Sequence, residues 1–453
     1  MSMPSSRAHH RGLTLAATSL GFAVVQLDVS VVNVAIRPIG AALGGDVSAL
    51  QWVVNAYTVA FAALILSAGA LGDRIGAKRV FIAGFSVFTV ASAVCGLAPT
   101  LGVLIGARAV QGAGAALLVP CSLTLLNHTY PEPAERSRAI GRWAVGASAA
   151  LSAGPLVGGV LTATLGWRAI FFINAPIGLA GILLTARFAA ETSRSADRGI
   201  DLWGQLTAIL CLTLLAAATI RGGSAGFGSA AVLAGYAAAA IAGVAFLAVE
   251  ARRARPMLPL RLFRCRAFGA NTAIGLLINV AFYGLIFVFS LFFQRGEDFS
   301  ALQAGLAFAP MTLAIMAANA VAGRLEQWLG TRAVIAGGAL LMAGGAVALE
   351  GIGPHSPFVA LVAQLIAIGF GLGLIVPVMT ASLLGSVDRS RSGIASGTLN
   401  TARQTGSVIG VALFGSLIAG GRLVDGVHIA LTIAAALSLV VAAIGVRTRM
   451  SQT

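Results

Sequence analysis

Two ionisable side chains stand inside apolar runs where a surface charge has no place. Asp28 lies in the run 13–36, and Arg108 lies in the run 101–126 with Gln111 one turn further on. If these runs cross a membrane, an ionised side chain at that depth costs roughly 2.5–3.5 kcal/mol on insertion scales and faces a cavity or a partner. Removal from water favours the neutral carboxyl over the carboxylate, as a group that takes up and releases protons requires. A guanidinium does not deprotonate in proteins, so Arg108 suits the role of a fixed cation biasing a nearby acid. Gln111 could hydrogen-bond the same partner. At about 100° per residue, Gln26, Ser30 and Asn33 share one stripe within about 60° of arc, and Asp28 stands about 160–200° away, among Ala17, Gly21 and Ala35. If the stripe faces substrate, Asp28 contacts another helix. Each charge keeps two readings: proton or substrate chemistry against a buried carboxylate held by its neighbours for Asp28, and proton coupling against a structural ion pair for Arg108.

Composition sets the elements that must position these groups. Of 453 residues, 58% are hydrophobic and 10% charged, with a mean hydropathy of +0.92. Soluble domains carry about 25% charged residues, which argues against a water-soluble enzyme. The hydropathy pattern gives helices at 13–36, 50–72, 80–98, 101–126, 140–163, 169–188, 202–220, 229–249, 268–293, 301–322, 333–349, 357–384, 405–420 and 427–446. At about 20 residues per span, fourteen spans take roughly 280 residues and leave short loops with no sizeable soluble domain. The net charge of +15 is carried by Arg residues and the single Lys78, clustered between apolar blocks. With the N-terminus cytoplasmic, twenty-four basic residues fall on that side and five outside, with Arg108 inside a span. This asymmetry follows the positive-inside rule and puts both termini in the cytoplasm. Nucleic acid is not implied. The four Cys show no disulfide framework, the five His have no metal spacing, and no cleavable signal peptide is evident.

Two further patterns concern conformational change. In Gly69, Asp73, Arg74, Gly76, Lys78 and Arg79, charges flank a joint between two helices. Such a loop can latch two bundles together until a transport cycle breaks it, or it can be a solvated loop that obeys the charge rule. A weak second copy runs from Gly323 through Gly330 to Arg332, as expected of transporters built from repeated halves. Gly146, Gly154, Pro155, Gly158 and Gly159 lie on one helix, where proline bends the chain and small residues allow tight packing. Pro120, Pro310 and Pro377 mark further kinks.

These blocks resemble the major facilitator superfamily. The stretch Gly69–Arg79 is similar to its signature loop. Other stretches resemble its fourteen-helix drug:proton antiporter branch, the QacA/EmrB-like group. They are Leu27-Asp28 to Asn33; Arg108 with Gln111, Gly112 and Gly114; Gly154-Pro155 with Gly158-Gly159, similar to an antiporter motif; Trp167-Arg168 to Asn174, Pro176 and Gly178; and Gly393, Ser396, Gly397, Asn400, Arg403, Gln404 and Gly406. The resemblance spans about residues 12–450. Three departures stand out. Ala77 replaces a common basic residue, Gln327 and Trp328 replace the Asp-Arg pair in the second copy, and the helix 301–322 offers Asn319 and Thr312 where some relatives carry an acid.

The resemblance implies an all-α integral membrane protein with the major facilitator fold, two six-helix bundles and two extra helices central in the sequence. The expected organisation is a cytoplasmic N-terminus 1–12, an N-terminal bundle 13–188, two additional helices 189–266, a C-terminal bundle 267–446 and a cytoplasmic C-terminus 447–453. The expected activity is secondary export of small amphipathic drugs or antibiotics, coupled to proton influx by alternating access. Asp28 and Arg108 are the proton-coupling candidates, and Gln26, Ser30, Asn33, Gln111 and Asn319 the substrate-cavity candidates. The alternative is a facilitator for one metabolite, a sugar or organic acid. A membrane-embedded enzyme or sensor is disfavoured, because no catalytic cluster is present. A phosphate-binding loop needs Gly-Lys-Ser/Thr, and the only Lys sits between Ala77 and Arg79, so an ion gradient remains as the energy source. No cofactor or metal is expected. The partners are a small-molecule substrate, protons and the lipid bilayer, in a monomer in a bacterial plasma membrane. A reporter tag at either terminus should be cytoplasmic and one in the loop 221–228 external. Cytoplasmic labelling of 221–228 would contradict the fourteen-helix reading.

Overall fold

The computed structural model describes residues 4–192, 201–253, 256–351, 357–387, 392–419 and 423–448. Every regular element among them is helical: α1 (Pro4–Leu43), α2 (Val47–Ile75), α3 (Ala77–Leu97), α4 (Leu101–Thr129), α5 (Pro133–Leu165), α6 (Ala169–Phe172), α7 (Asn174–Phe188), α8 (Leu202–Ala225), α9 (Ala230–Arg252), α10 (Arg266–Leu291), α11 (Ala301–Ala307), α12 (Ala309–Leu329), α13 (Thr331–Leu349), α14 (Val359–Gly385), α15 (Ser392–Ile418) and α16 (Leu423–Arg447), with a short 3₁₀ turn at Leu260–Arg264 and a π-helical turn at Phe292–Gly296. Arg194, Arg198, Arg255, Arg389, Arg391, Arg422 and Arg449, which enter the charge asymmetry, lie outside the described residues.

Side-chain caps start several helices. The Asp46 carboxylate accepts from Ala49 N at 2.8 Å, the Asp201 carboxylate accepts from Gly204 N at 2.9 Å, and Ser300 with Gln303 closes a reciprocal capping box. Each satisfies backbone donors that the first helical turn leaves unpaired. Proline accounts for two breaks. Pro176 cannot donate to Phe172 O, nor Pro310 to Leu306 O, and the chain breaks at Ile173 between α6 and α7 and at Phe308 between α11 and α12. Each broken pair still makes one crossing. Helices α4, α5 and α14 instead continue through Pro120, Pro155 and Pro377.

Thirteen helices among the described residues are long and apolar enough to cross a membrane. The remaining crossing is α15, and it corrects the expected helix 405–420. It begins at Ser392, because Ser396, Thr398, Asn400, Thr401, Arg403 and Gln404 are folded into the helix rather than left in a loop. Their polar groups lower the apparent hydropathy. The helix nevertheless packs between α2, α8 and α10, where lipid hydropathy does not govern composition. Arg403, assigned to a loop from sequence, therefore lies inside a crossing. Tracing the crossings in order brings the two ends of the described chain to one face, here the terminal face; the other is the far face.

Helices α1 to α7 pack on one another, chiefly α1 against α5, α7 and α4, and α4 against α2 and α3. Helices α10 to α16 form a second group, α10 against α15 and α16, and α14 against α12 and α13. The hairpin α8–α9, central in sequence, is peripheral in space. Its α8 leans on α2 and α15, whereas the most apolar stretch of α9 is only 17% buried, against 89% for α10.

Glycine contacts repeat across the two groups. A Cβ on Gly112 of α4 would stand 2.2 Å from Tyr57 O of α2, and one on Gly369 of α14 would stand 2.2 Å from Met311 O of α12. Gly114 meets Phe88 of α3 in the same way that Gly371 meets Gly338 of α13. The joints after α2 and α12 are single glycines at positive φ, Gly76 at 102° and Gly330 at 81°, a backbone region that only glycine enters readily.

The groups meet closely at the far face. The Arg37 guanidinium of α1 donates to Gln294 O and lies 3.3 Å from the Asp298 carboxylate. The Ser290 hydroxyl of α10 donates to Asn33 O. Gln51 of α2 donates to Val411 O and Ala412 O of α15 at 2.7 and 2.8 Å. Helix α5 abuts α11, where Gly159 leaves room for Ala301 O and Gly305 leaves room for Pro155 O.

Gly112→Ala should lower stability, because overpacking costs about 1–3 kcal/mol. Gly102→Ala, with nothing within 4 Å of its Cβ, should be neutral or stabilising through helix propensity. Thermal unfolding of the two purified variants checks this, and equal midpoints would refute the close approach of α2 and α4.

Candidate functional site

Asp28 is fully buried, and four helices besides its own converge on it. From α4, the Arg108 guanidinium donates through Nη1 to Asp28 Oδ2 in a fully buried ion pair. Gln111 Nε2, one turn further along α4, donates to Asp28 Oδ1 at 2.8 Å. Asn174 Nδ2, at the start of α7, donates to the same oxygen at 3.1 Å. Ser92 of α3 accepts from Gln111 Nε2 at 2.7 Å and from Asn174 Nδ2 at 3.3 Å. The break at Ile173 opens α7 at Asn174, which aims this amide inwards.

Arg108 has further partners. Its Nε donates to Val53 O of α2 at 3.0 Å, and Nη1 also donates to Gln111 Oε1 at 2.7 Å. Its guanidinium carbon lies 4.3 Å from the centre of the Tyr57 ring and 5.9 Å from that of Phe171. A cation over an aromatic face is attracted by the ring quadrupole. The cluster is thus charge-balanced, with three donors on one carboxylate, as a buried charge requires.

The opposite face of α1 carries the expected stripe. Ser30 and Asn33 are buried and donate to carbonyls of their own helix, Ser30 to Gln26 O and Leu27 O at 3.2 and 3.0 Å, and Asn33 to Val29 O at 2.9 Å. A side chain on Gly154 of α5 would collide with the Ser30 hydroxyl, and one on Gly158 with Val31. Gln26 is also buried. Helix α1 therefore presents Asp28 to α4 and the stripe to α5 and α10, as the 160–200° separation requires. Gln111 sits in the Asp28 cluster with no exposed surface. Asn319 is half-buried on α12, away from that cluster. Gly146 is spaced more loosely than Gly154, with Ser19 at 3.9 Å from its Cβ position.

The charged joint around Gly76 is a one-residue link. Lys78 Nζ donates to Ala186 O in the last turn of α7 at 2.9 Å, Ala77 N donates to the Thr192 hydroxyl at 2.8 Å, and Arg79 lies 3.9 Å from Glu191. These contacts grip the end of α7 and the chain that follows it. Gly69 packs beside Pro120 of α4, and Asp73 and Arg74 close the last turn of α2. Sequence reasoning did not single out Ser92 or Tyr57, and it named Arg403 only within the stretch placed ahead of a helix. Ser92 and Tyr57 are among several polar groups scattered through apolar helices, a weak signal, and the depth of Arg403 was obscured by the misplaced start of α15.

The family model of the Major Facilitator Superfamily matches residues 18–411 and again 272–450. The chain belongs to this superfamily. Its members are transporters rather than enzymes. The chain is 36% identical to a methylenomycin A resistance protein of Streptomyces coelicolor, over 90% of this chain and 86% of that protein. It is 34% identical to the multidrug resistance protein Stp of Mycobacterium tuberculosis, over 90% and 76%, and 37% identical to the cephamycin export protein CmcT of Amycolatopsis lactamdurans, over 90% and 85%. In fold it is similar to a POT family transporter, with a TM-score of 0.72 at 13% identity over 95% of both chains. It is also similar to the human organic anion transporter MFSD10, with a TM-score of 0.66 at 16% identity over 96% of this chain and 99% of that one. A multi-pass membrane protein of the major facilitator fold is therefore established.

Removing one partner of a buried ion pair costs about 3–5 kcal/mol, because the other charge is left uncompensated. Asp28→Asn and Arg108→Gln should each destabilise the protein, and the double variant should lose less than the sum of the two. Strictly additive losses in denaturation midpoints would show that the two side chains do not interact.

Proposed function

We propose that the chain is a secondary active exporter of small amphipathic drugs or antibiotics, coupled to proton influx by alternating access. The observation that carries this reading is the kinship just described: relatives aligned over about nine-tenths of the chain are resistance and export proteins. The geometry supplies a means. Asp28 is the proton carrier and Arg108 the fixed cation that takes its place opposite the carboxylate when the proton leaves. In the conformation described, the far face is closed and Asp28 is paired with Arg108. With the terminal face cytoplasmic, as the basic residues suggest, this is the inward-facing state after proton release.

The cycle then runs as follows. Substrate enters from the terminal face, the halves rock about the α2–α15 seam, and the far-face contacts of Arg37, Ser290 and Gly159 part. Asp28 takes up a proton from outside and separates from Arg108, which releases α1 to return. A membrane potential supplies about 2.3 kcal/mol per 100 mV for each net charge moved, roughly a forty-fold concentration ratio. The two bundles, joined by the α8–α9 hairpin, are the moving units, and the Gly69–Arg79 joint holds the first bundle to its exit segment. Gln26, Ser30 and Asn33 on α1, with Asn319 on α12, remain the candidate lining. The setting is a bacterial plasma membrane with both termini cytoplasmic.

Inverted membrane vesicles test this. Energised vesicles should accumulate members of a panel of amphipathic antibiotics, and dissipating the proton gradient should abolish accumulation. Accumulation that persists without the gradient would refute proton coupling, and transport restricted to one sugar or organic acid would favour the facilitator alternative.

A further inference from the structure

Arg403 is a second arginine inside a crossing, and unlike Arg108 it has no counter-ion among the described residues. It lies eleven residues beyond Ser392, about 16 Å along the helix at about 1.5 Å per residue, near the middle of a bilayer core about 30 Å thick. It is half-buried, and its Nε is enclosed without a hydrogen-bond partner. Among the described residues no carboxylate forms an ion pair with it, and the one acid buried in the neighbouring bundle, Asp28, is occupied by Arg108. Its stem crosses Gly275 of α10, whose Cβ position is 3.5 Å from Arg403 Cγ.

Unpartnered polar groups also lie on the same helix and on α2, which packs against it. On α15, Thr401 Oγ1, Gln404 Oε1 and Ser407 Oγ are enclosed with nothing to bond, and both amide atoms of Asn55 on the adjoining α2 are in the same condition. Tyr283, two turns beyond Gly275, lies within electrostatic range of Arg403. Tyr57, whose hydroxyl is also enclosed and unpartnered, lies within range of Tyr283 and stacks under Arg108. A line Arg108, Tyr57, Tyr283, Arg403 thus crosses from the first bundle to the second. One end is neutralised by Asp28 and the other is not.

We infer that Arg403 anchors an anionic group, a carboxylate above all, on the transported molecule, with the unpartnered Ser407 hydroxyl one turn further along the same face of α15. A guanidinium in protein stays charged, and its planar fork matches a carboxylate bidentately. An unpaired cation at membrane depth is costly to hold, so the site is stabilised when a small anion arrives from solution. The inference rests on the exporter reading and deepens it by naming a substrate class.

Inverted vesicles can separate the two. The probes are dansyl-glycine, its uncharged methyl ester and the cation ethidium, each tested with wild type, Arg403→Gln and Arg403→Lys. Wild type should accumulate the acid. Arg403→Gln should lose acid transport by roughly ten- to hundredfold while keeping ester transport near wild type, as expected for loss of a charge-assisted bond. Arg403→Lys should fall between them. A purely structural role would lower acid and ester alike, and that result overturns the inference. Wild type that moves the ester or ethidium but not the acid overturns it too, and leaves the exporter reading standing. Wild type that moves none of the three refutes export of such compounds and the inference with it.

Discussion

A carboxylate and a guanidinium can be kept dry together only if they face one another and every remaining donor and acceptor is met. Asp28 and Arg108 satisfy that condition, and much of the first bundle is arranged to make it so. The partners of the pair come from α2, α4 and α7, and Ser92 of α3 holds two of those partners, so one charge pair and its amides tie five helices together. The opposite side of α1 carries the contacts with α5 and α10 that close the far face. In the proposed cycle this makes α1 the lever. A proton on Asp28 cancels the attraction to Arg108, and the same rigid helix bears on the closed gate.

The second bundle repeats the architecture without repeating the charge. Gly369 and Gly371 do for α14 what Gly112 and Gly114 do for α4, so the packing of the halves is alike. Its cation at membrane depth sits elsewhere, on the half-buried Arg403 of α15, and among the described residues no carboxylate pairs with it. The proposed division of labour follows from that difference: the first half holds its own acid and suits protons, whereas the second presents an unpaired cation and suits a ligand. Between them the seam of α2 and α15 combines apolar packing with direct bonds from Gln51 to α15 carbonyls, and the α8–α9 hairpin braces it from outside.

Much of this was legible in the residues. Hydropathy found fourteen crossings because each contains an apolar run, and the isolation of Asp28 and Arg108 within such runs marked them before any contact was known. The helical wheel correctly set Asp28 apart from the Gln26, Ser30 and Asn33 stripe. Periodicity could not show that the carboxylate meets Arg108 in particular, since that depends on how α1 and α4 are brought together in space. The start of α15 was misread because its polar residues face protein rather than lipid, so a rule calibrated on lipid contact sees a loop. Ser92, Asn174 and Tyr57 join the cluster through tertiary packing, for which a lone hydroxyl or amide in an apolar helix gives little warning. Asn174 at least fell within a stretch singled out by its resemblance to relatives.

The central claim, that Asp28 carries the proton exchanged for substrate, is tested most directly by substrate-driven proton movement in proteoliposomes. Wild type and Asp28→Asn would be compared side by side with a compound both proteins bind. The account predicts stoichiometric proton movement on substrate addition in wild type and none in Asp28→Asn, with binding retained. Undiminished proton movement in Asp28→Asn would contradict it and place the proton site on another group.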